Sequence, residues 1–403
     1  MENLELIDEV LNTQKVVFTE DILNEIHKEI QEFNLQSIAI FCDEAGSLFA
    51  TEITDNLRKE YKINSVVVSS KNCYSMRGIN QAIAGLWENS RVIIAVGSNA
   101  ILNLSKLVGG TYNLKTILIP CEYVNTKICQ QKAYIDDDFM PHFYGSSSEI
   151  SCIVSMHNII NSNNLADVFG ECVATSWQFF EGFIKNKFLN INEKISNVLE
   201  IIKNIISLEP YLENKNENQI KIFLKLICLL SIKLGEENVI DEAFLSACIM
   251  KKTQNLDISI SKLYFLNTQV LCAMFTVYFN NNLESPLLVN VTSLNKDLFL
   301  KNKTIKATIN LNNYLKDEDF SQSTVYQKIL YIYKIYSSEI NTLCSRFQSF
   351  YEKCNLLFKK LHTDAGYSLF QKLKFEDFEN ACINLGLFYE DSILNKLHLL
   401  KVV

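Results

Sequence analysis

The 403-residue chain is short of the residues that punctuate a fold, with 12 glycines and 4 prolines. Few tight turns and long helices follow from that shortage. Arginine is scarcer still: Arg58, Arg77, Arg91 and Arg346 are all there is, so bidentate phosphate clamps have little to be made from. Positive charge is also outweighed, the formal net charge being −8, which argues against a nucleic-acid groove or an anionic membrane surface as partner. Histidine is missing from the whole stretch between His157 and His362. The 12 cysteines lack a CxxC pair or any Cys/His cluster at zinc spacing. They lie in apolar runs such as "LICLLSI" (Cys228) and "VLCAMF" (Cys272), which suits reduced thiols in a cytoplasmic compartment. The opening "MENLELIDEVLNTQ" has no signal-peptide core, and no apolar run is long enough to span a bilayer.

What is present divides in two. "SIAIFCD" (37–43), "SVVVSS" (65–70), "RVIIAVG" (91–97) and "TILIP" (116–120) recur about every 25 residues, with helix-period segments between them. Continuous β-branched runs alternating with helices predict a parallel sheet covered on both faces, with ligands at the carboxyl ends of its strands. After about residue 160 the apolar residues fall at i, i+3, i+4 and i+7, as in "GECVATSWQFFEGFIKNKF" and "NQIKIFLKLICLLSIKL". The expected architecture is a doubly wound α/β domain (1–162) followed by an all-α domain (163–403), with "NSNNLAD" (161–167) at the join. "NNNLESP" (280–286) reads as a loop, and the Tyr and Phe stripes of 325–358 read as core or interface.

"RVIIAVGSNAILNLSKLVGG" (91–110) puts Gly97, Ser98 and Asn99 where a strand turns into a helix. Backbone N–H groups at such a turn suit a pyrophosphate. With "LIPCEYVNTKICQQKAYI" after it and "CIVSMHNIINSNNLADVFGECVATSWQFFEG" beyond, the order of elements resembles the iron-containing alcohol dehydrogenase and dehydroquinate synthase superfamily. The glycerol and glycerol-1-phosphate dehydrogenase branches are the nearest, and the C-terminal "ENACINLGLFYEDSIL" resembles the latter's closing helix. The resemblance implies NAD(P) at Asp43, Gly97, Ser98, Asn99 and Cys121. Asn103 stands at the family's Asp, Lys106 at its Lys, and Thr126 at a substrate-facing Asp.

The family holds one divalent metal on an Asp and two histidines, and that metal activates the substrate hydroxyl. Glu171, after Gly170, matches the carboxylate, whereas Ser246 and Ser259 fall at the histidine positions. Hydroxyls are poor substitutes for imidazole, so zinc or iron is expected to be absent, with Asp257, Glu242 or Cys248 as the only replacement ligands to consider. The small-residue turn beside the first histidine is replaced by the bulkier "VIDEAF". The reading that results is a degenerate family member acting as a structural or regulatory subunit, with a homo-oligomer expected. The alternative is an NAD(P)-dependent oxidoreductase of a small polyol or its phosphate, with Lys106 or Tyr123 stabilising the alkoxide. A biosynthetic, cyclase-like activity on a sugar phosphate fits less well, given the few arginines. His27, His362 and His398 read as surface residues, His142 and "YIDDDF" (134–139) as loop, and His157 as structural.

Overall fold

The computed structural model describes residues 4–31, 37–136, 141–146, 148–156, 159, 165–189, 198–214, 216–236, 241–254, 256, 258–282 and 324–361, with 373, 377–378, 381–382 and 385. His157, Asp257, His362 and His398 lie outside the described residues, as do positions 161–164, 137–139 and 283–286 of the polar stretches and most of the C-terminal "ENACINLGLFYEDSIL". The chain forms two compact units, Met1–Val168 with Glu200–Glu236, and Phe169–Leu199 with Glu237–Val403.

The first unit is built on a parallel sheet of β1 (Val16–Phe18), β2 (Ser37–Cys42), β3 (Lys62–Val67), β4 (Val92–Gly97), β5 (Lys115–Pro120) and β8 (Ile150–Val154). Between β5 and β8 comes an antiparallel hairpin of β6 (Lys132–Asp136) and β7 (Pro141–Gly145). The sheet order is β1-β8-β5-β4-β2-β3, and every neighbouring pair is parallel. Every residue of β2, β4 and β5 is buried, which is why these strands read as unbroken Val/Ile/Leu runs rather than alternating ones.

Helices α1 (Leu4–Thr13), α2 (Ile22–Gln31), α3 (Ser47–Leu57), α4 (Met76–Ala84) and α5 (Asn99–Tyr112) come from the connections. One sheet face, with Ile38, Ile40, Val92, Ile94, Ile117 and Ile153, packs on Ile22, Ile26 and Ile30 of α2 and on Ile53 and Leu57 of α3. Each such side chain contributes about 1.5–3 kcal/mol relative to exposure. Helix α5 ends at Asn113, which adopts φ 52° and donates its N–H to the Gly109 carbonyl, a left-handed cap that asparagine tolerates well.

Beyond the sheet lie α6 (Leu165–Ile184), a π-helical turn (Lys185–Leu189), α7 (Val198–Ser207), α8 (Glu209–Glu213), α9 (Glu217–Glu236), α10 (Glu242–Thr253), α11 (Ile260–Asn282) and α12 (Thr324–Lys360). In the second unit Trp177 and Phe180 of α6, Phe265 of α11, and Phe347 and Phe358 of α12 are all buried. Trp177 and Phe180 lie 4.6 Å apart between ring centroids, and Phe265 lies 5.5 Å from Phe358. Phe347, Phe350, Tyr351 and Phe358 of the 325–358 aromatic stripe are therefore core, whereas Tyr336 is half-buried.

Three features depart from the expectation. Residues 200–236 group with the α/β unit rather than with the later helices, because α9 is tied to it by the Lys225–Asp8 ion pair and by Ser231, which accepts the Cys129 N–H at 2.9 Å. His142 stands on β7 rather than in a loop, paired with Ile135. Strand β1 is only three residues long, too short for periodicity to reveal.

Candidate functional site

The strand order reverses between β2 and β4: the chain runs outward from β2 to β3, returns to β4, and then proceeds to β5. The carboxyl ends of β2 and β4 are thus the topological switch point, where open α/β sheets take their ligands. Cys42 pairs with Val96 and Gly97 with Pro120, so the register brings Asp43, Gly97, Ser98 and Cys121 together. Cys121 donates its N–H to the Gly97 carbonyl at 2.9 Å.

Asp43 is fully buried, and its two carboxylate oxygens accept the Ser98 N–H at 3.2 and 3.3 Å. It also accepts the Gly46 N–H at 3.3 Å and the Ser98 hydroxyl. Ser98 in turn caps α5 by accepting the Ala100 N–H at 3.2 Å. Two glycines permit this closure. A Cβ on Gly97, whose φ is +145°, would stand 2.1 Å from Asp43 Oδ1, and one on Gly46 would stand 2.1 Å from the Val96 carbonyl oxygen.

The surroundings extend the same polarity. Burial, and then the Asp43 charge, raise the Glu122 carboxyl above its usual range. The same two causes push the Cys121 thiol up to about 12. Glu44, which accepts the Ser70 N–H at 2.9 Å, is lowered to about 2 by that bond and by the Ser69 hydroxyl. A pyrophosphate at a helix start needs unengaged N–H groups and positive potential. Here the Ser98 N–H already faces a carboxylate, so the residues as arranged do not fit a dinucleotide phosphate. Asn99 Nδ2, by contrast, is enclosed without a hydrogen-bond partner among the described residues.

The other expected residues of this unit support the loop after β5. Asn103 donates to the Tyr134 carbonyl and accepts the Tyr134 N–H at 2.7 Å, so it clamps α5 to β6. Lys106 is buried, and its ammonium donates to the carbonyls of Lys127 at 2.8 Å and Gln130 at 3.2 Å. Burial, opposed in part by the Cys129 charge, lowers Lys106 to about 8. Thr126 is buried in the same loop, and Tyr123 is half-buried.

In the second unit Glu171 is buried on α6 and accepts the Ser261 hydroxyl at 2.5 Å. Ser261, two residues beyond the expected Ser259, is therefore the serine that meets this carboxylate. Ser259 instead accepts the Lys262 N–H at 3.3 Å, at the start of α11. Ser246 donates to the Ala243 carbonyl at 3.0 Å and accepts from Asn267 Nδ2 at 2.6 Å. One carboxylate with a hydroxyl bound to it, and two further hydroxyls already hydrogen-bonded, do not fit a catalytic zinc or iron. Among the described residues no group of three or more His, Cys, Asp or Glu is disposed to hold a metal ion.

A buried charged cluster lies in the same unit, and sequence reading missed it. Glu181 accepts the N–H groups of Glu242 and Ala243 at 3.0 Å each. Lys185 pairs with Glu242 at 2.8 Å, and Asp241 accepts the Tyr264 hydroxyl at 2.9 Å and the Phe244 N–H at 3.0 Å. Burial, then the charges of Glu242 and Asp241, raise the Glu181 carboxyl well above the usual carboxylate range. The one local signal was an acidic pair in "VIDEAF"; Glu181 lies 61 residues before Glu242 in sequence, and Tyr264 lies 23 after Asp241.

No known family model matches the sequence, and no curated protein matches it. Solved structures do. Maleylacetate reductase from a Rhizobium strain superposes with a TM-score of 0.59 over 96% of this chain and 94% of its own, at 9% identity. The NADH-dependent butanol dehydrogenase A of Thermotoga maritima gives 0.59 over 96% and 95%, at 11% identity. Glycerol dehydrogenase from Schizosaccharomyces pombe gives 0.52 over 85% and 90%, at 13% identity. An iron-containing alcohol dehydrogenase from Corynebacterium glutamicum gives 0.60 over 96% and 93%, at 10% identity. With a parallel sheet followed by helices, and with both chains covered almost end to end, this protein has the fold of the iron-containing alcohol dehydrogenases.

Proposed function

We propose that the chain is a catalytically silent protein on a dehydrogenase scaffold, serving as a structural or regulatory subunit. The observation that carries this is a shared one. At the switch point and at Glu171 alike, a carboxylate that would face a ligand is already engaged within the chain, Asn99 Nδ2 being the exception. Asp43 accepts the Ser98 N–H, and Glu171 accepts the Ser261 hydroxyl. Serines stand where a metal would need imidazoles. A reducing, cytoplasmic setting and self-association complete the proposal; all 12 cysteines are free thiols, and no helix of the described residues is long and apolar enough to cross a membrane.

The test is the metal content of the purified protein, with thermal melts in NADH, NADPH, zinc and ferrous ions. A ligand at a thousand times its Kd stabilises by about 4 kcal/mol, so a flat response across the series is the expected result. The second reading, an NAD(P)-dependent oxidoreductase of a small polyol or polyol phosphate, is favoured by Asn99 Nδ2, enclosed at the start of α5 without a hydrogen-bond partner among the described residues. Stabilisation by a nucleotide without metal decides for it and against silence.

A further inference from the structure

In the second unit the first turn of α10 is held by side chains from two other helices. Glu181, near the end of α6, accepts the N–H groups of Glu242 and Ala243, one on each carboxyl oxygen, at 3.0 Å each. Asn267 of α11 donates its amide to the Ala243 carbonyl at 2.8 Å and to Ser246 Oγ at 2.6 Å. Lys185, in the π-helical turn after α6, pairs with Glu242 at 2.8 Å. Asp241, the residue before α10, accepts the Tyr264 hydroxyl of α11 at 2.9 Å and the Phe244 N–H at 3.0 Å. These side chains are all enclosed: Glu181 and Glu242 are 1% exposed, Lys185 3%, Asp241 4%, and Asn267 and Tyr264 0%.

This seam has more acceptors than its donors can serve. Among the described residues three carboxyls, Glu181, Asp241 and Glu242, face one ammonium, that of Lys185. Tyr264, with Tyr351 of α12 near it, supplies a neutral hydroxyl. Asn267 Oδ1 adds a further acceptor, buried without a hydrogen-bond partner among the described residues. Full ionisation would leave two negative charges uncompensated in the core, and an unpaired charge taken out of water is neutralised where a proton can do so. Among the described residues these carboxyls are not disposed to share a metal ion, so a proton is the cation that fits. Asp241 has a hydroxyl and an N–H, and Glu242 has the ammonium. Glu181, served by backbone N–H groups, is the carboxyl left to take the proton. Burial and the charges of Glu242 and Asp241 act in the same direction, raising it.

We propose that this cluster is a pH-operated latch: Glu181 keeps a proton at neutral pH, and its loss in mild alkali releases the first turn of α10 from α6. Neutral, Glu181 closes that turn without adding to the negative charge. Ionised, it sets a third carboxylate against Asp241 and Glu242, and the repulsion acts on the contact between α6 and α10. The step is an acid dissociation: the carboxyl O–H bond breaks, its electrons stay on the oxygen, and hydroxide or buffer base takes the proton. A group that holds its proton more tightly when folded stabilises fully below its unfolded value and less as pH rises through the folded one. The latch is therefore shut in acid and opens toward base. Its signal is the proton, whether or not a nucleotide binds in the first unit.

Two measurements on the full-length protein test the latch. Infrared spectra of the wild type at neutral pH are expected to show the carbonyl stretch of a protonated carboxylic acid, apart from the carboxylate bands. That band fades as pH rises toward about 9, the upper end seen for buried glutamates, and it is missing from Glu181→Gln. Hydrogen–deuterium exchange with mass spectrometry, corrected for the intrinsic rate at each pH, gives the protection of the α10 peptides. In the wild type this protection is expected to fall by up to about tenfold per pH unit once Glu181 ionises, while peptides of β2 and β4 keep theirs. In Glu181→Gln, which has nothing to ionise there, α10 protection stays level. The wild-type spectrum and protection profile decide the matter even without the variant. No acid band in the wild type at neutral pH overturns the proposal, as does one that survives undiminished in Glu181→Gln. So does α10 protection that stays level with pH in the wild type, or that falls equally in the variant.

Discussion

Glu181 shows how much one buried carboxyl can govern. Its folded value is raised by burial and by Glu242 and Asp241, while unfolded glutamate titrates near ~4.3. A raised group gives its full contribution below the unfolded value and loses it as pH rises through the folded one. Glu181→Gln stays neutral throughout, so its urea midpoint is expected to gain on that of the wild type between pH 5 and pH 8. A difference that does not change with pH would refute this. Lys185→Met breaks the ion pair with Glu242, which is itself 1% exposed; breaking a buried pair from one side costs about 3–5 kcal/mol, readable in denaturant melts. Beyond the adjacent Asp241–Glu242 pair, this cluster was not legible in the sequence, because Glu181 and Lys185 are joined to that pair by packing rather than by spacing. Asp43, Gly97 and Ser98 were legible, since a strand end, a glycine and a capping serine are local signals. Their mutual bonding was not, as it depends on β2 lying beside β4.

The β4–α5 turn is the element on which the functional reading rests. Gly97→Ala forces a side chain into a positive-φ site against Asp43 and is expected to cost about 2–3 kcal/mol in a melt. Asp43→Ala frees the Ser98 amide. Pyrophosphate is therefore expected to raise the melting temperature of that variant and to leave the wild type unmoved; equal stabilisation of both would show the turn open already. The long apolar strands β2, β4 and β5 could be read because burial on both faces erases alternation. Strand β3, at the sheet edge, begins with Lys62 and includes Asn64 and Ser65, so its first half carries no apolar run to recognise. The β6–β7 hairpin was likewise hidden behind the acidic "YIDDDF".

At the scale of the molecule, the change of texture near residue 160 marked where the strands end, but it did not show that α9 returns to the sheet unit. Its apolar stripe says that one face is buried and not against what. Residues 1–162 alone lack the partner of Asp8, the acceptor for the Cys129 amide and the helix that carries Cys228. That fragment is expected to give a broad, non-cooperative melt and to bind a hydrophobic dye, whereas the whole chain melts sharply; a cooperative fragment would mean that α9 is dispensable.

The polypeptide crosses from one unit to the other at 168, 199 and 236. Neither unit is a contiguous stretch, so no single nick or gene break can release one of them whole. Whatever each half does, the pair must be inherited, expressed and lost together.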